Sequence, residues 1–243
     1  MKLIKLDAID STNDFLKGLS VDEKIENFTV VTAESQTKGK GQRGAGWISE
    51  NGKNLIVSVL IKDLLADHSK VFDLNIAVAL SVIEALDKFK IPDLSVKWPN
   101  DIMSGKYKIG GILIENSLKS NGKIVSIVGL GLNVNQINFD GLPNASSLAL
   151  VANADFDKEL ILVEFVERLK ANTQNWNPET IEHLWQKYKN LLFKKGIPMP
   201  FENQSGARFM GIITDVDRNG KLHVMLEDDS VKKFDIKEIK MLY

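Results

Sequence analysis

The sequence predicts an α+β fold: a mixed, largely antiparallel sheet packed with helices, followed by a small β-barrel. Three features point to it. Four short apolar stretches between residues 95 and 135 are separated by turn signals and read as a meander. Longer stretches with helical periodicity flank them, and beyond Gly196, Pro198 and Pro200 the chain changes to short alternating runs.

Taken in order, Ser11 can cap a short helix through Phe15 and Leu16. Asp14 stands where a capping box usually has Glu or Gln. Residues 28–32 and 54–62 read as strands, separated by a glycine-rich loop over 38–46. A helix is expected over 69–89. Asp73, Asn75, Glu84 and Asp87 interrupt its apolar run, so it is a buried soluble helix rather than a membrane span. Strands follow at 95–98, 101–103, 108–115 and 123–135, with turns at Ser104-Gly105-Lys106 and Ser120-Asn121-Gly122. Leu160, Ile161, Val163, Phe165, Val166 and Leu169 keep helical spacing, and a second helix is expected over 179–192. The break near 197 divides the chain into a larger unit, 1–196, and a compact barrel, 197–243.

The bulk composition excludes several classes of function. The 243 residues hold 31 basic and 32 acidic side chains, a net charge of −1, so no overall field draws the molecule to nucleic acid or to a membrane. Residues 1–10 contain no signal peptide, and the absence of cysteine removes disulfides and thiol nucleophiles. A cytoplasmic location is the expectation.

Gly39-Lys40-Gly41-Gln42-Arg43-Gly44 matches the dinucleotide fingerprint G-x-G-x-x-G, and Asp63 follows at a suggestive distance. The context fails, because that fingerprint must open a helix and here Ala45, Gly46 and Trp47 come next. The loop does have the makings of an anion cradle, in which glycine amides face inward and Lys38, Lys40 and Arg43 add charge. Lys97-Trp98-Pro99-Asn100-Asp101 then gathers a cation, an aromatic, an amide and a carboxylate at a strand junction. Lys108 begins a strand whose Gly110 and Gly111 let a ligand approach the backbone. Gly129-Leu130-Gly131-Leu132-Asn133 taken alone reads as a bulged strand. His68, His183 and His223 share no motif and read as non-catalytic.

Taken together, Asp10-Ser11-Thr12-Asn13, the stretch from Gln36 to Trp47, 97–101, 108–115 and 129–133 closely resemble the biotin protein ligases, in order and spacing. The resemblance covers about 1–240. It implies the fold shared by that family and the class II aminoacyl-tRNA synthetases, with a Src-homology-3-like barrel at the end. It also implies ATP-dependent formation of biotinyl-5'-AMP and transfer of biotin to a lysine of a biotin carboxyl carrier protein or domain.

By position, the resemblance implies that Ser11, Thr12, Asn13 and Gln36 hydrogen-bond biotin's ureido ring. Lys40, Gly41 and Gln42 close over biotin and the adenylate, with Gly110 and Gly111 beside them. Lys108 meets the reacting carboxylate and α-phosphate. Arg43, Trp47, Asn100 and Asn133 serve the nucleotide, and Lys97 and Asp101 lie near the phosphates or a metal, with Asp101 the candidate ligand. Mg²⁺ is implied with the substrates ATP and biotin, and no tightly bound prosthetic group.

Many members carry arginine at the place of Gln42. The ligase signature starts at Asp10, so a monofunctional enzyme without an N-terminal DNA-binding domain is expected, with no nucleic acid and no membrane partner. A homodimer is left open. The rivals are a lipoate protein ligase, which the loop and the 97–101 segment argue against, and a non-catalytic biotin sensor, which would lack Lys108 or the phosphate loop.

Overall fold

A computed structural model of the chain describes residues 2–119 and 122–243, apart from the side chains of Arg43 and His68. The predicted turn at Ser120 and Asn121 therefore lies outside the described residues. Seven strands form the first sheet: β1 (Leu3–Ile9), β2 (Val30–Gln36), β3 (Leu55–Lys62), β4 (Leu94–Lys97), β5 (Asp101–Ser104), β6 (Tyr107–Leu118) and β7 (Ile124–Leu132). Their order is β1-β2-β3-β7-β6-β5-β4. Only β1 and β2 run parallel, because α1 (Thr12–Leu19) crosses between them; every other pair is antiparallel.

The period-2 alternation of β3 and β7 assigns a job to each face of the sheet. Leu55, Val57, Val59 and Ile61 pack with α2 (Val71–Lys88) and α4 (Lys158–Gln174), and α5 (Pro178–Asn190) lies against α2. On the opposite face, Leu60, Val125, Ile127 and Val31 surround Leu16 of α1. Continuing along that face, the side chains shrink to Ser58, Gly129 and Gly131, and Gly111 lies directly across from Gly131. The sheet is bare where α1 stops covering it, and the pocket opens there.

Residues 198–241 form a second antiparallel sheet from β8 (Pro198–Asn203), β9 (Arg208–Val216), β10 (Leu222–Met225), β11 (Val231–Phe234) and β12 (Ile239–Met241). Its order is β11-β10-β9-β8-β12. Phe209 stacks on Phe201 and on Phe234, at 5.6 and 5.9 Å, inside it. The architecture is the expected barrel-like module, but β11 and β12 end the order unpaired with each other, so hydrogen bonding does not close it. Trp98 fastens it to the first sheet by donating its indole N–H to Gly220 O at 2.8 Å, where a Cβ would come within 2.4 Å of Phe72.

Sequence reasoning did not find β1 or the short α3 (Leu148–Ala152). Only half of the capping box forms: Ser11 Oγ accepts from Asp14 N at 3.4 Å, while the Asp14 carboxylate turns to Lys40. Among the described residues no helix is long and apolar enough to cross a membrane.

Candidate active site

A cavity of about 200 Å³ lies on the bare face of the first sheet. Its inner end is polar. Gln36 Oε1 accepts from Thr12 N at 2.8 Å and lies 3.1 Å from Thr12 Oγ1. Ser58 Oγ is 2.8 Å from Thr12 Oγ1 and 2.6 Å from Asn13 Oδ1. Asn13 Nδ2 donates to Glu115 Oε2 at 2.9 Å. Ser11, Thr12 and Asn13 are buried because α1 begins here, its first turn pressed onto the sheet. Gly129 is required by this contact, since a Cβ there would lie 2.5 Å from Asn13 Oδ1.

The outer end is charged. Lys108 Nζ lies 2.6 Å from Asp101 Oδ1, and Lys97 Nζ lies 3.2 Å from Asp101 Oδ2. The pairing between β5 and β6 shifts register between Ile102 and Met103, opposite Lys108, so the Lys108 backbone turns to another partner: its N–H donates to Asn144 O at 2.7 Å. Asn100 is fixed by exchanging bonds with Ile112, and Asn75 holds the preceding carbonyl, Pro99 O, at 2.9 Å.

Residues 39–47 cover the cavity as a small hairpin. Gly41 N donates to Ala45 O at 2.7 Å and Trp47 N to Gly39 O at 2.9 Å. Of the glycine amides expected to face an anion, that of Gly41 is thus engaged within the loop. Its lysines are paired as well: Lys38 with Asp10 and Lys40 with Asp14, both at 2.7 Å. These hydrogen bonds raise the pKa of both lysines, and Lys38 lowers that of Asp10. Trp47 lies flat on Gly131, where a Cβ would fall 2.4 Å from its ring, and its indole N–H is buried without a partner.

The cavity lining includes Ser11, Thr12, Asn13, Gln36, Lys40, Gly41, Gln42, Trp47, Asn100, Asp101, Lys108 and Gly111. Other expected residues fall elsewhere. Lys97 stands behind Asp101 and lines a second cleft shared with β12. Gly110 sits inside the sheet, where a Cβ would lie 3.0 Å from Gly131 O, so its missing side chain serves strand packing. Asn133 is buried and donates to Ser146 O at 3.0 Å, tying down the segment after β7. The bulge expected around Gly129 and Gly131 is absent, for β7 pairs with β3 and β6 without a register shift from Ile124 to Leu132. The Arg43 side chain lies outside the described residues. Sequence reasoning missed Ser58, Glu115 and Asp14. Of these, Ser58 alone left a signal, one hydroxyl in the apolar run Leu55–Lys62.

Among the described residues no three His, Cys, Asp or Glu side chains gather to hold a metal. Asp101 is the one carboxylate of the lining. A lone carboxylate suits magnesium, which keeps much of its water and is held by one or two carboxylates plus the phosphates of a substrate.

A pocket with neutral hydrogen-bonding groups at one end and a lysine–carboxylate pair at the other suits a small polar acid that meets a second anion. That class includes enzymes that activate carboxylic acids. The model of the Biotin/lipoate A/B protein ligase family matches residues 6–135, more than half of the chain, and the chain belongs to this family.

Over 94% of its length the chain is 27% identical to the bifunctional ligase/repressor BirA of Salmonella typhimurium, covering 70% of that protein. It is 29% identical to the biotin–[acetyl-CoA-carboxylase] ligase of Mycobacterium tuberculosis, over 87% of this chain and 79% of that one. The biotin protein ligase of Aquifex aeolicus, solved with biotin and ATP, superposes with a TM-score of 0.80 at 25% identity, covering 99% and 98% of the two chains.

Proposed function

We propose that this chain is a biotin protein ligase, which makes biotinyl-5'-AMP from biotin and ATP and passes the biotinyl group to a lysine of a carboxylase's carrier domain. The carrying observation is that one cavity joins the polar floor of Thr12 and Gln36, backed by the buried Ser58, to Lys108 and Asp101. The relatives named above support the choice of substrates.

In this proposal the ureido ring lies on the polar floor and the valeryl carboxylate points to Lys108. A carboxylate oxygen forms a bond to the α-phosphorus of ATP, the bond from that phosphorus to the bridging oxygen breaks, and pyrophosphate leaves. Two anions must approach for this step, so Lys108 has to leave Asp101 and place its charge where negative charge accumulates. Magnesium carried in on the triphosphate would supply further neutralisation, and Asp101 is the residue that would hold it. The carrier's lysine amine then attacks the mixed anhydride, loses its proton and expels AMP.

The cavity is smaller than the roughly 300–1,000 Å³ of ordinary small-molecule sites. The 39–47 hairpin and Trp47, which lies on the floor with an unsatisfied N–H, must shift for both substrates to enter. Asn100, Trp47 and Gln42 then contact the adenylate. With this assignment go a catalytic unit of 1–196, a C-terminal module of 197–243 and residence in the cytoplasm.

A lipoate ligase is the second candidate within the family, but a dithiolane has no N–H to satisfy the acceptors of the floor. The test is incubation of purified protein with Mg-ATP, biotin and an acetyl-CoA carboxylase carrier domain, followed by intact mass. A carrier that gains one biotinyl group supports the proposal, and an unmodified carrier overturns it.

A further inference from the structure

Glu115 does not line the cavity, yet it begins a chain of polar contacts that runs to the floor: Glu115, Asn13, Ser58, Thr12, Gln36. A carboxylate can only accept, so the end of Asn13 facing Glu115 must be the NH₂. The carbonyl of Leu113, 3.4 Å away, is also an acceptor and favours the same orientation. Asn13 Oδ1 is therefore turned to Ser58 and takes its hydroxyl hydrogen across 2.6 Å. Ser58 Oγ is then an acceptor for Thr12, 2.8 Å away, which draws the Thr12 hydrogen off the cavity floor. At the last link, Gln36 Oε1 is fixed by the Thr12 backbone N–H. The one Thr12 hydrogen can reach Ser58 Oγ at 2.8 Å or Gln36 Oε1 at 3.1 Å; the shorter contact takes it, and Thr12 Oγ1 and Gln36 Oε1 then both present lone pairs to the cavity.

We propose that Glu115 is a positioning residue that sets the direction of this chain, so that Thr12 and Gln36 both face the ligand as acceptors and select an acid bearing N–H donors. The inference deepens the biotin assignment and rests on it, the ureido group being the part of biotin that carries such donors. A neutral residue of the same shape at 115 breaks the one-way rule. Glutamine can donate as well as accept, which lets Asn13 turn over, Ser58 reverse and Thr12 spend its hydrogen on Gln36. Glu115 also attracts Lys40 electrostatically, and a second variant separates that effect: aspartate keeps the charge but falls short of Asn13.

The test is adenylate formation by Glu115→Gln and Glu115→Asp, with biotin and ATP varied in turn. Weakening of about one hydrogen bond raises the KM for biotin about five- to tenfold in both variants, with kcat and the KM for ATP within about twofold of wild type. Wild type should also discriminate strongly against biotin methylated at a ureido nitrogen, and Glu115→Gln should narrow that ratio. An unchanged biotin KM in Glu115→Gln overturns the proposal. So does a wild-type result for Glu115→Asp alone, which reduces Glu115 to its charge, or a loss of kcat and a rise in the KM for ATP as large as the rise in the KM for biotin, which makes it a merely structural residue. A wild-type protein that forms no biotinyl-adenylate removes the biotin assignment itself and this inference with it.

Discussion

Asp101 and Asp217 each stand between two basic groups with similar exposure, 15% and 18% of the side chain, but the rest of their bonding differs. Asp217 faces His223 at 3.1 Å and Lys233 at 3.3 Å, and its other oxygen accepts two backbone N–H groups, Asn219 at 3.0 Å and Lys221 at 3.1 Å. Burial works against its charge, but the hydrogen bonds prevail and lower its pKa to about 2. It clamps the turn between β9 and β10. Among the described residues Asp101 meets only flexible ammonium groups, Lys97 and Lys108, at the mouth of a cavity. An ion pair fixed to backbone amides stabilises a fold. One made of side chains alone can be exchanged for a ligand's charge.

The largest effect should come from Lys108→Ala. Loss of one preorganised charge is expected to slow adenylate formation by about two orders of magnitude or more. Thermal stability should hardly move, since Asp101 keeps Lys97. Turnover surviving within about threefold would return Lys108 to the class of structural ion pairs.

Asp217→Asn should do the opposite, lowering stability by about 2 kcal/mol at neutral pH with biotinylation unchanged. The folded carboxyl titrates near 2 and an ordinary one near 3.8, so the unfolded chain takes up the proton first. The contribution is complete above about pH 4 and disappears as the pH falls toward 2. Urea midpoints across that range should show wild type and variant converging in acid. A gap that stays constant would mean that the charge on Asp217 is irrelevant.

The contrast between the two carboxylates was only partly legible in the sequence. Lys97, Asp101 and Lys108 fall on adjoining strands within twelve positions, so a local motif reveals them. Asp217 looks like any turn aspartate: its bonds to the Asn219 and Lys221 amides are those of an ordinary turn, and the further lowering of its pKa comes from His223 and Lys233 on other strands. Glu115 was hidden for the same reason: its partner Asn13 is about a hundred residues away. Asn133 and Gly110 read as ligand contacts in the sequence, while the bond of Asn133 to Ser146 O and the close strand packing of Gly110 come from partners that only the tertiary structure brings together. Strand β1 escaped because Lys5 and Asp7 blur the apolar pattern of a half-exposed edge strand.

Two smaller effects probe the loop. Lys38 and Lys40 are held by Asp10 and Asp14, exposed pairs worth little individually. Biotin with ATP should draw Lys40 inward and protect residues 38–43 from trypsin; equal cleavage with and without ligands would leave those pairs as surface decoration. Gln42 lines both the main cavity and the neighbouring cleft. Gln42→Arg should slow escape of the adenylate a few-fold without speeding its formation, because a charged donor adds about 1 kcal/mol over a neutral one. Release after dilution that is as fast as in the parent would mean that residue 42 does not clamp the phosphate.

The most direct test of the acid-activating site is exchange of labelled pyrophosphate into ATP by the purified chain with Mg²⁺ and either biotin or lipoate. Exchange that requires biotin, fails with lipoate and collapses in Lys108→Ala is the expected result. Exchange supported by lipoate, or absent with both acids, would contradict the assignment of the floor and of Lys108 together.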